Sequence, residues 1–339
     1  MVRINRCSFF GGTVDLSPKQ DCYSEWGWEM MSVVIRTLLI CAASMMWFYT
    51  GADQAVAQNS RWEVRSENSV ARLDPFFDDN ELGTLDRLEL ETGADSNNWF
   101  RYVKPLSGRR VWRFEQQARA RVYNDRDELN SLLFSPRVQY WAPIGSGWQM
   151  RAIADSSVLM RDGNGHYTRY QAEGQLRSRS QDGTELVFRA RVSQYDFGKQ
   201  VVAGLDQNRL RFGVQRNSSR AAQSGTRLSA FLISSEAQLD NFSFVEWRAE
   251  AVFWTKMSEN TEVSLSFLTT QRDYDGTFSV SQPFARNDTR MSATARVEHA
   301  LSERSRIFAA LGYLDNDSNI SQREYAGVTF RLGARFDFR

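Results

Sequence analysis

Arginine pairs with one residue between them recur along the chain, among them Arg119/Arg121, Arg177/Arg179, Arg189/Arg191 and Arg209/Arg211. A guanidinium is planar and always charged, and its fork grips a carboxylate or phosphate through two parallel hydrogen bonds. A spacing of two puts both members of a pair on one face of an extended strand. The chemistry on offer is therefore a row of anion sites rather than a reaction centre. All but four of the 42 Lys+Arg residues are arginine, and 41 Asp+Glu bring the formal net charge to +1, a balance that argues against a nucleic-acid partner. There are two histidines and three cysteines, and the cysteines (Cys7, Cys22, Cys41) all fall early in the chain. That distribution speaks against thiol catalysis, thiolate metal sites or a disulfide framework downstream.

His166 lies in Asp162-Gly163-Asn164-Gly165-His166, read as a tight turn, and His299 lies on an apolar parity. Neither has a serine or acid motif beside it, so no catalytic residue is assigned and the chain is read as a non-enzyme. Asp315-Asn316-Asp317-Ser318-Asn319 alternates oxygen ligands as a calcium loop does. However, Ile320 stands where that loop needs glycine, and no glutamate follows at its twelfth position. It reads as a solvated loop. No metal and no cofactor are expected.

The residues that would carry the arginines alternate apolar and polar with period two, the pattern of strands with unlike faces. In 110–123, Trp112, Phe114, Ala118, Ala120 and Val122 take one parity; Arg113, Glu115, Gln117, Arg119, Arg121 and Tyr123 take the other. The same alternation marks 86–94, 98–105, 131–142, 148–161, 167–180, 184–197, 208–217, 226–236, 242–254, 261–273, 289–301, 306–316 and 324–338. That makes fourteen strands, or twelve if the first two fail. A mean hydropathy of −0.50 with 13% aromatic residues fits apolar surface held in patterned segments. Most of these segments are as long as the roughly 9–11 residues that cross a bilayer at a tilt, whereas strands of soluble sandwiches average about 5–6. A lipid-exposed sheet cannot leave an edge open, so the expectation is a closed antiparallel transmembrane β-barrel with a polar interior. Trp112, Tyr140, Trp148, Trp247, Trp254 and Tyr313 are expected in interfacial girdles facing outward.

On the inward parity the lumen receives Arg113, Arg119, Arg121, Arg151, Arg177, Arg179, Arg189, Arg191, Arg209, Arg211, Arg248 and Arg296, together with Arg137, Arg161, Arg169, Arg290, Arg331 and Arg335. The inward acids, such as Glu115, Asp155, Glu173 and Glu298, are about half as many. A positive excess in a narrow aqueous passage favours anions. The alternative is that acids and arginines interdigitate and fill the lumen.

Residues 31–57 hold a positive charge at Arg36, an apolar stretch and Ala55-Val56-Ala57, the pattern of a cleaved secretory signal with Ala55 and Ala57 at the cleavage site. Residues 1–30 read as an extension before the native start. Residues 58–85, with Pro75-Phe76-Phe77-Asp78-Asp79, read as a periplasmic tail or a plug, and 86–339 as the barrel.

The end of the chain, Arg331-Leu332-Gly333-Ala334-Arg335-Phe336-Asp337-Phe338, resembles the terminal-strand signal of Gram-negative outer-membrane, porin-like barrels. Arg331, Gly333, Phe336 and Phe338 carry the spacing, and the chain departs from it by ending in Arg339. The resemblance implies recognition by the barrel-assembly machinery, residence in the cell outer membrane, and contact with lipid bilayer and lipopolysaccharide. Gly93-Ala94-Asp95-Ser96-Asn97 is fainter, similar to the end of strand one in some porin-like and export barrels. The function expected is a channel for passive diffusion of small or polymeric anions, its preference lowered by replacing Arg119, Arg121, Arg209 and Arg211 with Gln. The alternative is a non-conducting scaffold or the outer-membrane component of a polysaccharide or protein export system.

Overall fold

The computed structural model describes residues 60–73, 90–180, 183–198, 205–220 and 223–338. Ala55, Ala57, the signal segment, the 1–30 extension and the Pro75–Asp79 run lie outside them. Fourteen strands follow in order: β1 Arg61–Leu73, β2 Glu91–Pro105, β3 Val111–Tyr123, β4 Ser131–Pro143, β5 Trp148–Arg161, β6 Asn164–Arg179, β7 Glu185–Phe197, β8 Gln207–Arg220, β9 Ser224–Ala237, β10 Phe244–Lys256, β11 Thr261–Thr277, β12 Ala285–Ala300, β13 Ser305–Ser318 and β14 Tyr325–Phe338. Each pairs antiparallel with its sequence neighbours, and β1 pairs with β14 from Val64↔Phe338 to Arg72↔Phe330, closing the barrel.

The expected strand number holds, although its first members differ. The described residues 91–94 of the first segment and the whole of 98–105 are parts of one strand, β2, while 86–89 lie outside the described residues; residues 61–73, expected in a tail or plug, form β1. The tail reading fails because β1 hides its alternation. Its outward parity carries Ser66, Asn68 and Arg72 beside Trp62, Val64 and Val70, so the apolar signal is diluted by half.

Parity decides the faces. Val70, Val122, Val192, Leu311 and Leu332 are all more than half exposed on the outer surface. Leaving such side chains in water forfeits about 1.5–3 kcal/mol each relative to an apolar environment, so a wall made of them belongs in lipid. At the end of the barrel where β1 begins and β14 finishes, called here the near end, Trp62 packs at a tilt against Tyr102 at 4.3 Å and Trp112 against Tyr140 at 4.9 Å, an aromatic girdle. Near-end connections (106–110, 144–147, 257–260, 301–304) are shorter than most at the far end (124–130, 238–243, 278–284, 319–324). Trp254 departs from its expected outward place. It shares parity with Arg248 and Glu250, and its indole lies against Gly225 of β9 on the lumen side, where a Cβ would come within 2.5 Å.

Two more cross-strand pairs follow that rule. Gly213 faces Phe231, and Gly333 faces Phe308. A Cβ on Gly213 would sit 2.0 Å from the Phe231 ring; one on Gly333 would sit 2.7 Å from Phe308 and 2.2 Å from the Asn68 carbonyl. The missing side chain lets each ring lie flat on the wall, an aromatic cover over glycine that also fixes register.

Candidate functional site

The lumen has two unlike walls. Around the closure, from β12 through β14 and β1 to β3, carboxylates collect arginines. The Asp95 carboxylate accepts from Arg119 at 2.5 Å, Arg121 at 3.2 Å and Arg331 at 2.6 Å, and its side chain is 2% exposed. Glu298 pairs with Arg296 (3.0 Å), Arg306 (3.2 Å) and Arg335 (2.8 Å). Glu67 reaches Arg296 and Arg331 at 3.5 and 3.6 Å, joining the two clusters. Next to them Glu115 accepts from Arg101 at 2.7 Å, and Arg101 also donates to Glu63 at 2.9 Å. One carboxylate holding several guanidiniums offsets the desolvation cost that an isolated buried pair barely recovers.

Along β4 to β10 a second group of arginines rests instead on rings and amides, among others that keep carboxylate partners. Trp141 points inward near the near end with three guanidiniums around its ring: Arg113 at 4.9 Å, Arg151 at 4.7 Å and Arg177 at 5.1 Å. Arg151 donates to Gln139 at 2.5 Å and to Gln175, and Arg189 donates to Gln215 at 2.7 Å. Among the described residues no carboxylate lies within 4.0 Å of either Arg151 or Arg189. Arg211 lies 3.8 Å over Phe231, on the ring that covers Gly213, and Arg209 sits over Tyr195 and Phe244 at 4.7 and 5.2 Å. Stacking supports the charge by ring electrostatics without cancelling it. Carboxylates are present here too: buried Asp155 holds Arg137 and Arg169 at 3.3 Å each, Arg191 pairs with Glu173 at 2.5 Å, Arg177 with Glu185 at 2.9 Å and Arg227 with Glu250 at 3.2 Å.

All twelve arginines expected in the lumen lie on inward parity, so the structure sets them on the lumen face of the barrel but not in one environment. Arg119, Arg121 and Arg296 belong to the ion-paired wall. Arg151, Arg177, Arg189, Arg191, Arg209, Arg211 and Arg248 belong to the other; Arg113 of β3 stands between the two, 3.9 Å from Glu115 and 4.9 Å from the Trp141 ring; and Arg179 closes β6 exposed at the near end. In the terminal strand Arg331 and Gly333 face the lumen while Phe336 and Phe338 face outward. The sequence reading missed Asp95, Glu67, Arg101 and Trp141. The first three follow from misplacing β1 and β2. Trp141 shares the parity of Arg137 and Gln139, a signal that could have marked it as inward.

The far end carries apolar groups inside the barrel. Leu159, Tyr167, Tyr195, Phe197 and Leu205 form one cluster, Ile233, Phe244 and Tyr274 a second, and Leu90, Leu314 and Tyr325 a third. His166 is the third residue of β6 rather than part of the turn and packs edge-on to Phe197 at 6.0 Å. His299 faces outward, its Nδ1 within 2.9 Å of the Thr261 hydroxyl. The oxygen-rich run at 315–318 is the end of β13, not a loop. Asn316 and Ser318 turn inward while Asp315 and Asp317 turn out, so the four do not converge on one ion.

No family model and no curated protein matches the chain. Solved structures do. The outer membrane channel DcaP of Acinetobacter baumannii aligns with 83% of this chain and 96% of its own, at TM-score 0.50 and 11% identity. An anion-selective porin from Comamonas acidovorans aligns with 83% and 99%, at TM-score 0.48 and 10% identity. A bacterial polysaccharide outer membrane secretin aligns with 82% and 98%, at TM-score 0.43 and 8% identity. At such identities the likeness is one of fold: this is the closed barrel of Gram-negative outer-membrane proteins, and the apolar outer wall suits that membrane.

Proposed function

We propose that the barrel is a channel for passive diffusion of small or polymeric anions. The observation that carries this is the wall from β4 to β10. There Arg151 and Arg189 keep their charge uncancelled by a carboxylate within ion-pair distance, and three guanidiniums surround Trp141. Fixed cations in a confined aqueous path raise the local concentration of anions and repel cations. A carboxylate or phosphate moving along this wall meets guanidinium forks held in place by rings and glutamines, with little side-chain entropy left to lose. The chain's own chemistry is binding and release; no bond-making step is assigned to it.

A second reading has its own observation. The ion-paired wall and the apolar clusters at the far end both put side chains into the lumen, as a non-conducting scaffold or an export component would. In either reading β14 is the segment offered to the barrel-assembly machinery, with Phe336 and Phe338 on its lipid face, and the far end meets lipopolysaccharide. Single-channel recording of the barrel in a planar bilayer under a salt gradient decides between them. The channel reading expects discrete steps with a reversal potential of anionic sign; a heat-modifiable barrel that gives no steps favours the scaffold.

A further inference from the structure

The outer wall is apolar at mid-height almost everywhere, as Phe188, Val192, Leu210, Phe212, Leu228 and Leu232 illustrate on β7 to β9. The arc formed by β1 to β3 breaks that rule. Ser66 and Asn68 of β1, Ser96 and Asn98 of β2 and Gln116 of β3 all take outward parity, and register puts Ser66 beside Asn98 and Asn68 beside Ser96. They are joined in a hydrogen-bonded chain: Asn98 Nδ2 donates to Ser96 Oγ at 3.1 Å, Ser96 Oγ to Asn68 Oδ1 at 2.7 Å, and Asn68 Nδ2 to Ser66 Oγ at 3.0 Å.

The height of this row rules out the headgroup region. Asn68 lies six residues along β1 from Trp62 of the near-end girdle, about 15 Å above it for a tilted strand, inside an apolar band about 25 Å tall. Above the row the surface is apolar again at Val70 and Val122. The chain uses one N–H of each asparagine and the Ser96 hydroxyl as donors, so the Asn98 carbonyl, a second N–H on each asparagine and the Ser66 hydroxyl hydrogen remain to be satisfied on this outer face. Lipid tails can satisfy none of these, at a cost of several kcal/mol per unmet group.

We propose that this arc is an interface with a second copy of the same chain. The row is uncharged, and each amide both donates and accepts, so it is complementary to itself where a charged row would repel its copy. Small neighbours flank it: Ala118 beside Asn98, Ala120 beside Ser96 and Ala334 beside Asn68. Small residues around polar groups let two membrane walls approach closely enough for hydrogen bonds to form between them. The occupant is thus a protein wall of the same kind, and the contact lies outside the lumen and does not depend on what the lumen conducts.

The test is the mass of the barrel purified from the outer membrane in mild detergent, by light scattering, for the unaltered chain and for Asn68→Leu combined with Asn98→Leu. The unaltered chain is expected as an oligomer, and the double variant as a heat-modifiable monomer with the oligomer fraction reduced at least ten-fold. A monomeric unaltered chain overturns the proposal, and so does a double variant that stays oligomeric. If the double variant fails to fold, single thiols decide. Ser96→Cys should crosslink between copies in membranes through a short bis-maleimide and Leu232→Cys should not, with the unaltered chain measuring any background from Cys7, Cys22 and Cys41. Equal crosslinking at both positions, or none at Ser96→Cys, rejects the arc as the interface.

Discussion

The same residue type does opposite work on the two walls of this lumen. Around the β1–β14 closure, arginines converge on Asp95, Glu298 and Glu67, so their charge is spent holding strands together. From β4 to β10, Arg151 and Arg189 end on glutamines, and Arg151 and Arg177 share the face of Trp141 with Arg113 of the adjoining β3. What differs is the partner: a carboxylate neutralises, whereas a ring or an amide only orients. Counting arginines in a lumen therefore overstates its field, and the partner of each must be known before its charge is assigned to the passage.

Removing the hub of the first wall should have the largest effect. Asp95→Ala leaves Arg119, Arg121 and Arg331 facing one another without their shared carboxylate, and breaking a buried ion pair in this way costs about 3–5 kcal/mol. The urea midpoint of the refolded barrel should fall accordingly. A midpoint within error of the parent would mean that the closure does not depend on this cluster.

The glycine–aromatic pairs compare the walls one step down. In Gly333→Ala the new Cβ meets a carbonyl, that of Asn68 at 2.2 Å, which cannot move without shifting β1; in Gly213→Ala it meets the Phe231 ring at 2.0 Å, which can turn. Overpacking of this kind costs about 1–3 kcal/mol. Gly333→Ala should sit at the upper end in urea unfolding. Gly213→Ala should cost less stability but disturb anion preference, because Arg211 rides on the displaced ring. Equal losses of stability with no change in preference would separate Arg211 from the conduction path.

Much of this was legible from period two alone. Strands β3 to β14 and the inward parity of the arginines follow from side chains that must choose between lipid and water, a choice large enough to show in each strand. The failures share one cause. On β1 and β2 the outward positions Ser66, Asn68, Ser96 and Asn98 are polar, so alternation vanishes where the wall does not face simple lipid. The strand break placed at 95–97 was this patch, and Asp95, read as the end of a strand, proved to be the centre of the closure. Pairing was not legible at all. Whether an arginine meets Asp95 or Trp141 depends on register between strands, which period two leaves open until the barrel closes.

Arg151→Gln with Arg189→Gln isolates the second wall. Each loses a charge but no carboxylate partner, so stability should change by under about 1 kcal/mol while the anion-to-cation permeability ratio moves toward unity. Arg119→Gln with Arg121→Gln should do the reverse, altering the urea midpoint more than the permeability ratio. If both pairs shift the ratio equally, the distinction between the walls fails.

Salt gives the smallest and most general check. The Debye length shrinks from about 10 Å at 0.1 M to about 3 Å at 1 M, so charges that act across water lose reach while groups in contact and out of water lose little. In the proposed channel Arg151 and Arg189 act on ions in the passage, and their influence on the permeability ratio should fade between these concentrations. Asp95, with 2% of its side chain exposed, keeps its arginines at contact distance, and its share of stability should persist. The preference of the unaltered barrel is therefore expected to drop with salt, the preference of Arg151→Gln with Arg189→Gln to drop less, and the urea midpoint to move little in either. A midpoint that falls in step with the preference would show that the closure is screened like the passage, and the two walls would have to be treated as one.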